Sequence, residues 1–334
     1  MGMFGGHTIR HKHWDSAVSS AEKIVGYPTS FMNLRFWLSD EMSNVAVNMR
    51  KLIGTKHPLM KTAKGLIFAD KENIQTRGLV VLLMSKAAGI PKTVKQFEHH
   101  ALDQDYHPPL PGCNGNGILE TQRSLAELTE MIHTAFVLHR GVMDIDRQPG
   151  TRDHSPETED LLYGNKMALL SGDYLLAKAS SGLASLGNTH VVEVMASAIS
   201  DLMESRFYME ERCEHEFELD DWEHFAYKTT ACLYAKACQS ALMLSGHPDD
   251  SLSHAFDFGK NFGLLRHIKQ DHDHTPNGET ATDEFFNTLL GKYNIEELKA
   301  EYAERAAHSL AKLPVNDAAM ALHSFIDVLS KNTV

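Results

Sequence analysis

Apolar residues in this chain recur at intervals of three and four, and nowhere as a β-branched alternation bounded by turns. That period matches the 3.6-residue turn of a helix and not the two-residue pleat of a strand. Leu125, Leu128, Ile132, Ala135 and Phe136 form one stripe, and Val192, Met195, Ile199 and Leu202 another. Ile295, Leu298, Tyr302, Ala306, Leu310 and Leu313 repeat the pattern ahead of Pro314, and a last helix is predicted over 317–330. Met42, Val45, Met49, Leu52 and Ile53 make a further stripe, stopped by Gly54, a residue suited to the left-handed position past a helix end. The chain therefore reads as all-α.

Proline and glycine cluster in 102–119 and, with Pro276 and Gly278, in 270–283. Both stretches are predicted as loops. Neither is long or neutral enough for a domain linker, so one helical domain is expected over 17–334, preceded by an N-terminal arm, 1–16. The arm carries Arg10, Lys12 and three histidines and no acid before Asp15, a composition compatible with mitochondrial targeting. It lacks the Arg- and Ser-rich amphipathic length of such peptides, and its other reading is a disordered arm. The chain holds 32 Lys and Arg against 44 Asp and Glu, a net charge of −12, which argues against a nucleic-acid-binding face. Its longest uncharged apolar run is Gly78–Met84, far short of the roughly 20 residues a transmembrane helix needs. Cys113, Cys213, Cys232 and Cys238 form no CxxC pair and are expected as buried thiols in a reducing compartment.

The stretch most informative about chemistry is Glu130–Asp146, EMIHTAFVLHRGVMDID. It resembles the trans-polyprenyl diphosphate synthases, whose first metal motif sits in a phrase like ELIHTASLIHDDVID. Gly164–Ala177 (GNKMALLSGDYLLA) matches the family's GNKxAILxGDxLLA, Tyr227–Leu233 resembles its KTAxLF phrase, and YAERAAHSLAKLP resembles its closing segment. The resemblance implies an isoprenoid-synthase helical bundle around a central cavity. In working members, two aspartate-rich motifs on facing helices hold Mg²⁺ ions that bind an allylic diphosphate and draw it off as the leaving group. Hard oxygen ligands suit that ion, and the metals neutralise charge on the departing group.

Against that family the sequence departs where the metals belong. The first motif reads Arg140, Gly141, Val142, Met143, Asp144, so only its last carboxylate remains. A guanidinium about 5 Å from a divalent ion, at an effective dielectric near 20, is repelled by about 6–7 kcal/mol. The second motif aligns with Gly263–His274, where Arg266-His267 replace a Phe-Gln pair, Gln270 replaces the lead aspartate, and Asp271 is the aligned carboxylate. Of the cations in the motif that binds isopentenyl diphosphate, Arg77 remains. By resemblance Arg77, Lys228 and Thr229 are candidate diphosphate-binding residues, and an allylic diphosphate is a candidate ligand. His139 and Asp173 are expected in structural or interface roles. Arg140 is expected either to pair with Asp144 or Asp271 in place of a metal bridge, or to reach solvent.

The pattern resembles the non-catalytic subunits of heteromeric decaprenyl and solanesyl diphosphate synthases. That implies a catalytic partner subunit, which holds the Mg²⁺, no tightly bound cofactor in this chain, a mitochondrial location, and the polyprenyl tail of ubiquinone as product. Two other readings stay open on the residues: a self-sufficient prenyltransferase using Asp144, Asp271 and Lys228, and a metal-dependent helical hydrolase built on His267, His272 and His274. The histidine cluster lacks a second His or Cys pair at recognised zinc spacing.

Overall fold

The computed structural model describes residues 5–27, 76–91, 113–114, 117–142, 156–208, 218–274 and 292–331, with side chains left aside at 5–12, 113–114, 156–157, 206, 208 and 270–274. In chain order the elements are α1 (Gly5–Val25), α2 (Thr76–Ala88), β1 (Cys113–Asn114), β2 (Ile118–Leu119), α3 (Glu120–Arg140), α4 (Pro156–Ser185) and α5 (Thr189–Tyr208). There follow α6 (Leu219–Ala226), a π-helical turn (Tyr227–Ala231), α7 (Cys232–Leu244), α8 (Asp249–His274), α9 (Ile295–Leu310) and α10 (Asp317–Ser330). The architecture is all-α. A two-residue antiparallel pairing, Cys113 opposite Leu119 and Asn114 opposite Ile118, is the sheet structure among the described residues. The stripe Met42–Ile53 lies outside the described residues.

The bundle is organised around α2. An uncharged apolar run gives a helix no side to turn to water, and Leu79 through Met84 are all fully buried. α2 is covered by α3, α7, α1 and α10. The periodic stripes supply the cover: Leu125, Ile132, Ala135 and Phe136 face inward on α3, and Tyr302, Ala306 and Leu310 do so on α9. Polar N-caps start two of the outer helices. The Asn294 side chain accepts from Glu296 N–H at the head of α9, and Asn316 accepts from Ala319 N–H at the head of α10. No helix among the described residues is long and apolar enough to cross a membrane.

Two segments differ from the sequence expectation. The boundary expected between residues 16 and 17 falls inside α1, which buries Val18, Ala21 and Val25 on one face and runs on to Gly26, where a left-handed backbone (φ 67°) ends it. The loop expected from residue 270 begins later, because α8 continues to His274 and the first helix-breaking residue beyond it is Pro276.

α7 and α8 approach unusually closely because α8 presents glycine at the contact. A Cβ on Gly259 would lie 2.5 Å from the Tyr234 carbonyl oxygen, and one on Gly263 would lie 2.4 Å from Ala231 Cα. Backbone cannot swing aside as a side chain can, so a methyl group here forces the helices apart. Gly259→Ala is expected to destabilise the fold by about 1–3 kcal/mol, read as a lowered melting temperature in thermal denaturation. An unchanged melting temperature would show that the two helices slide freely.

Candidate functional site

α3 carries the first motif and ends where it begins. Its C-cap is Gly141, whose N–H donates to the Leu138 and His139 carbonyls, and Val142 follows outside the helix. Arg140 is exposed, and its guanidinium carbon lies 5.8 Å from the centroid of the Phe136 ring one turn back. Asp144 lies outside the described residues. Gln270 and Asp271 sit in the last turns of α8, with their side chains outside the described set. The two carboxylates expected to face Arg140 are therefore not placed.

His139, beside Arg140, links α3 to α4. Its Nε2 is 3.3 Å from Asp173 Oδ1 and 3.4 Å from the Leu169 carbonyl oxygen. Gly172 makes room for the ring: a Cβ there would fall 2.1 Å from His139 Nε2. The small residue, the imidazole and the carboxylate thus form one interhelical contact.

The π-helical turn covers Tyr227–Ala231, an extra-residue turn of a kind often found at functional sites. It separates two residues expected to act together. The Lys228 ammonium pairs with Glu204 near the C-terminal end of α5. Hydrogen bonds from Lys228 and then Ser200 hold the Glu204 carboxylate below its usual range. One turn beyond Lys228, Cys232 Sγ donates to the Ala198 carbonyl at 3.9 Å, and two turns beyond, Lys236 Nζ meets Asp201 Oδ2 at 2.5 Å. Lys228 thus belongs to a ladder that fastens the π-turn and α7 to α5. Thr229 is buried, its Oγ1 without a hydrogen-bond partner, while Thr230 Oγ1 meets His267 Nδ1 at 2.8 Å.

The interior holds Glu130, a charged residue to which sequence reasoning gave no role, together with Arg77 and Arg266. Glu130 on α3 is fully buried, and its Oε1 accepts from Gly78 N–H at 2.8 Å. Burial pushes its carboxyl up, with Arg77 pulling the other way. Arg77 is buried, with its guanidinium carbon 5.1 Å from the Tyr234 ring centroid. Arg266 on α8 is also buried, 5.1 Å from the Trp14 ring centroid, and burial draws it below the usual arginine value. Burial, then Arg77, Arg266 and Arg140, press the His133 imidazole well below its ordinary range. The available signal was a single acid inside the apolar phrase EMIHTAFVL, which reads as one more helical position until its surroundings are known.

Mg²⁺ demands several oxygen donors around one point. The end of α3 presents a guanidinium and a glycine instead, and among the described residues no group of three His, Cys, Asp or Glu side chains could hold a metal ion. Asp144 and the side chains of Gln270 and Asp271, the remaining members of the two motifs, lie outside the described residues.

The Polyprenyl synthetase family pattern matches residues 71–275. The chain belongs to that family. Its similarity extends to the human All trans-polyprenyl-diphosphate synthase PDSS2, 43% identical over 264 residues, covering 78% of this chain and 62% of the human protein. A Probable hexaprenyl pyrophosphate synthase, mitochondrial, from Yarrowia lipolytica is 32% identical over 309 residues, covering 79% of this chain and 67% of that protein. Among solved structures, a decaprenyl diphosphate synthase from Rhodobacter capsulatus superposes with a TM-score of 0.59 at 20% identity, covering 90% of this chain and 98% of that one. This last likeness concerns the fold. The chain spans about three fifths of the length of the human relative it matches.

Within a family fold of this kind, a buried carboxylate with a raised pKa leaves a trace in stability. The protonated Glu130 favours the folded state, so its contribution is complete below the ordinary carboxyl range and is lost as pH climbs through the raised value. Relative to Glu130→Gln, the native chain is expected to lose melting temperature as pH rises above the ordinary carboxyl range. Parallel pH profiles for the two proteins would show that Glu130 titrates normally.

Proposed function

We propose that this chain is the non-catalytic or regulatory subunit of a heteromeric trans-polyprenyl diphosphate synthase, stabilising or tuning a catalytic subunit that holds the Mg²⁺. The observation that carries this reading is the end of α3. Where the family places its first metal-binding aspartates, this helix closes on exposed Arg140 and Gly141. The engagement of Lys228 by Glu204 points the same way, since a lysine committed to a neighbouring helix is withdrawn from a diphosphate. The likeness to the human protein whose name contains PDSS2 supports the subunit assignment. The likeness to synthases named as mitochondrial supports a mitochondrial location and a role in making the ubiquinone tail.

A subunit of this kind acts through its surface. Leu169 and Leu170 on α4 are 46% and 54% exposed, and Phe207 near the end of α5 is 63% exposed. Large apolar side chains on two helices that pack together suit a partner contact. The His139–Asp173 contact lies on the same helix one turn from Leu169 and fixes the angle at which α4 is presented.

The purified chain, given Mg²⁺, isopentenyl diphosphate and farnesyl diphosphate, is expected to transfer no prenyl group. Mixed with its catalytic partner, it is expected to raise product formation above that of the partner alone. Leu170→Glu, on a side chain already in water, is expected to preserve the fold and to reduce both co-purification and that stimulation. Turnover by the chain alone at a rate typical of the family would overturn the proposal and favour a self-sufficient enzyme using Asp144, Asp271 and Lys228.

A further inference from the structure

Two grooves open to solvent flank the outer side of α8. One, of about 540 Å³, runs between α8 and α9 and is lined by Asp257, Asn261, Glu304, Arg305 and His308 among others. The second, of about 360 Å³, lies between α8 and α6 and is lined by Asp220, Glu223, Tyr227, Phe256 and Lys260 among others. Asp257 and Asn261 border the first groove and Phe256 and Lys260 the second, so the two stand on either side of one ridge of α8. α6 and α9 are tied together behind it by Trp222 and Tyr302, whose ring centroids are 6.2 Å apart. A small-molecule site encloses most of its ligand, whereas open grooves astride a helix suit an occupant long enough to lie across both.

The charge of this face is one-sided. α6, residues 249–261 of α8, and α9 together carry ten acids against Lys260, Lys299 and Arg305. All three bases are already committed: Lys260 Nζ is 3.4 Å from Glu223 Oε1, Lys299 Nζ 3.1 Å from Glu296 Oε1, and Arg305 Nη2 2.5 Å from Glu301 Oε1. The first-turn acids of the three helices are accounted for by the helix dipoles. Asp257 and Glu304 are not in first turns. Both are exposed, both line the larger groove, and neither is in an ion pair among the described residues. A cation seated in that groove is attracted by both. Beside the carboxylates, half-buried Tyr227, Phe256 and Ala307 offer carbon surface. Lysine and arginine have the matching build, an apolar stem under a charged head. Nucleic acid and anionic lipid carry the same sign as this face and are repelled by it.

We propose that the face built by α6, the first half of α8 and α9 docks a basic amphipathic segment of a partner protein. Its Lys and Arg stems lie along Tyr227, Phe256 and Ala307, and their heads reach Asp220, Asp257 and Glu304. The face is separate from the α4 and α5 side chains offered to a catalytic subunit, and the inference does not depend on that assignment.

The test is a titration of the purified full-length chain, at low ionic strength, with a synthetic amphipathic Leu–Lys peptide of about five helical turns. Its Leu–Glu counterpart and a lysine homopolymer of equal length serve as comparisons. Saturable binding of the Leu–Lys peptide is expected, weakened by added salt, with weaker binding of the homopolymer and none of the Leu–Glu peptide. Asp257→Asn combined with Glu304→Gln is expected to weaken binding about fivefold or more. Glu193→Gln combined with Asp327→Asn removes as much charge from α5 and α10 and is expected to leave binding unchanged. These are exposed carboxylates exchanged for amides of the same shape, and the melting temperature verifies that each variant is folded. No saturable binding to the native chain overturns the inference. Equal weakening by the two variant pairs overturns it too, because attraction to net charge alone would then be the cause, as does a homopolymer that binds as tightly as the Leu–Lys peptide. Leu170→Glu is expected to leave peptide binding intact whether or not it reduces stimulation of a catalytic subunit, which keeps the two readings distinguishable.

Discussion

The fold depends on satisfying both ends of a helix that is buried along almost its whole length. Every residue of α2 but Lys86 is buried, so most N–H groups of its first turn and carbonyls of its last cannot turn to water. At the N-terminal end Glu130 Oε1, from α3, accepts from Gly78 N–H at 2.8 Å. At the other end Gly89 takes a left-handed backbone (φ 69°), Asn316 donates to the Ala87 carbonyl at 2.9 Å, and His247 reaches the Gly89 carbonyl at 2.9 Å. Three distant parts of the chain therefore converge on thirteen residues. Asn316 does so while also capping α10, which fixes that helix to the core it covers.

The outer helices were legible because each has a wet side. On α3 and α9 the spacing of Leu125, Ile132, Tyr302 and Ala306 marks the buried face directly. α2 was not legible as the centre, since a helix buried on nearly every side has no periodicity, and the same seven residues supported only the statement that this run is too short to span a bilayer. The interior site was half legible. Arg77, Lys228 and Thr229 were singled out by resemblance, but their directions were not, because direction follows from packing partners far away in sequence. Lys228 turns to Glu204, 24 residues earlier, and Arg266 rests on Trp14, about 250 residues earlier.

The π-turn supplies a local reason for that redirection. An inserted residue shifts the helix face by roughly 100° for all that follows, since an α-helix advances 3.6 residues per turn. Lys228, Cys232 and Lys236 then line up at intervals of four toward α5, meeting Glu204, Ala198 and Asp201. Thr230, on another side of the turn, meets His267 on α8. Gly259 and Gly263 complete the arrangement, because the turn and α7 come against α8 at backbone distance. A segment that resembles a substrate-binding phrase in sequence is thereby used as a three-way structural junction.

The net charge of −12 takes on a different meaning in this light. Acids stand in the first turns of α3 (Glu120), α6 (Asp220, Asp221), α8 (Asp249, Asp250), α9 (Glu296, Glu297) and α10 (Asp317), where the helix dipole favours them. Inside, two buried guanidiniums stand near one carboxylate. The polarity is the reverse of an interior that gathers divalent metal, which needs concentrated carboxylate and tolerates no nearby guanidinium. Among the described residues, charge placement says more about this chain than the number of its acids does. It makes the surface helices acidic at their starts and sets two guanidiniums and a carboxyl group in the described interior.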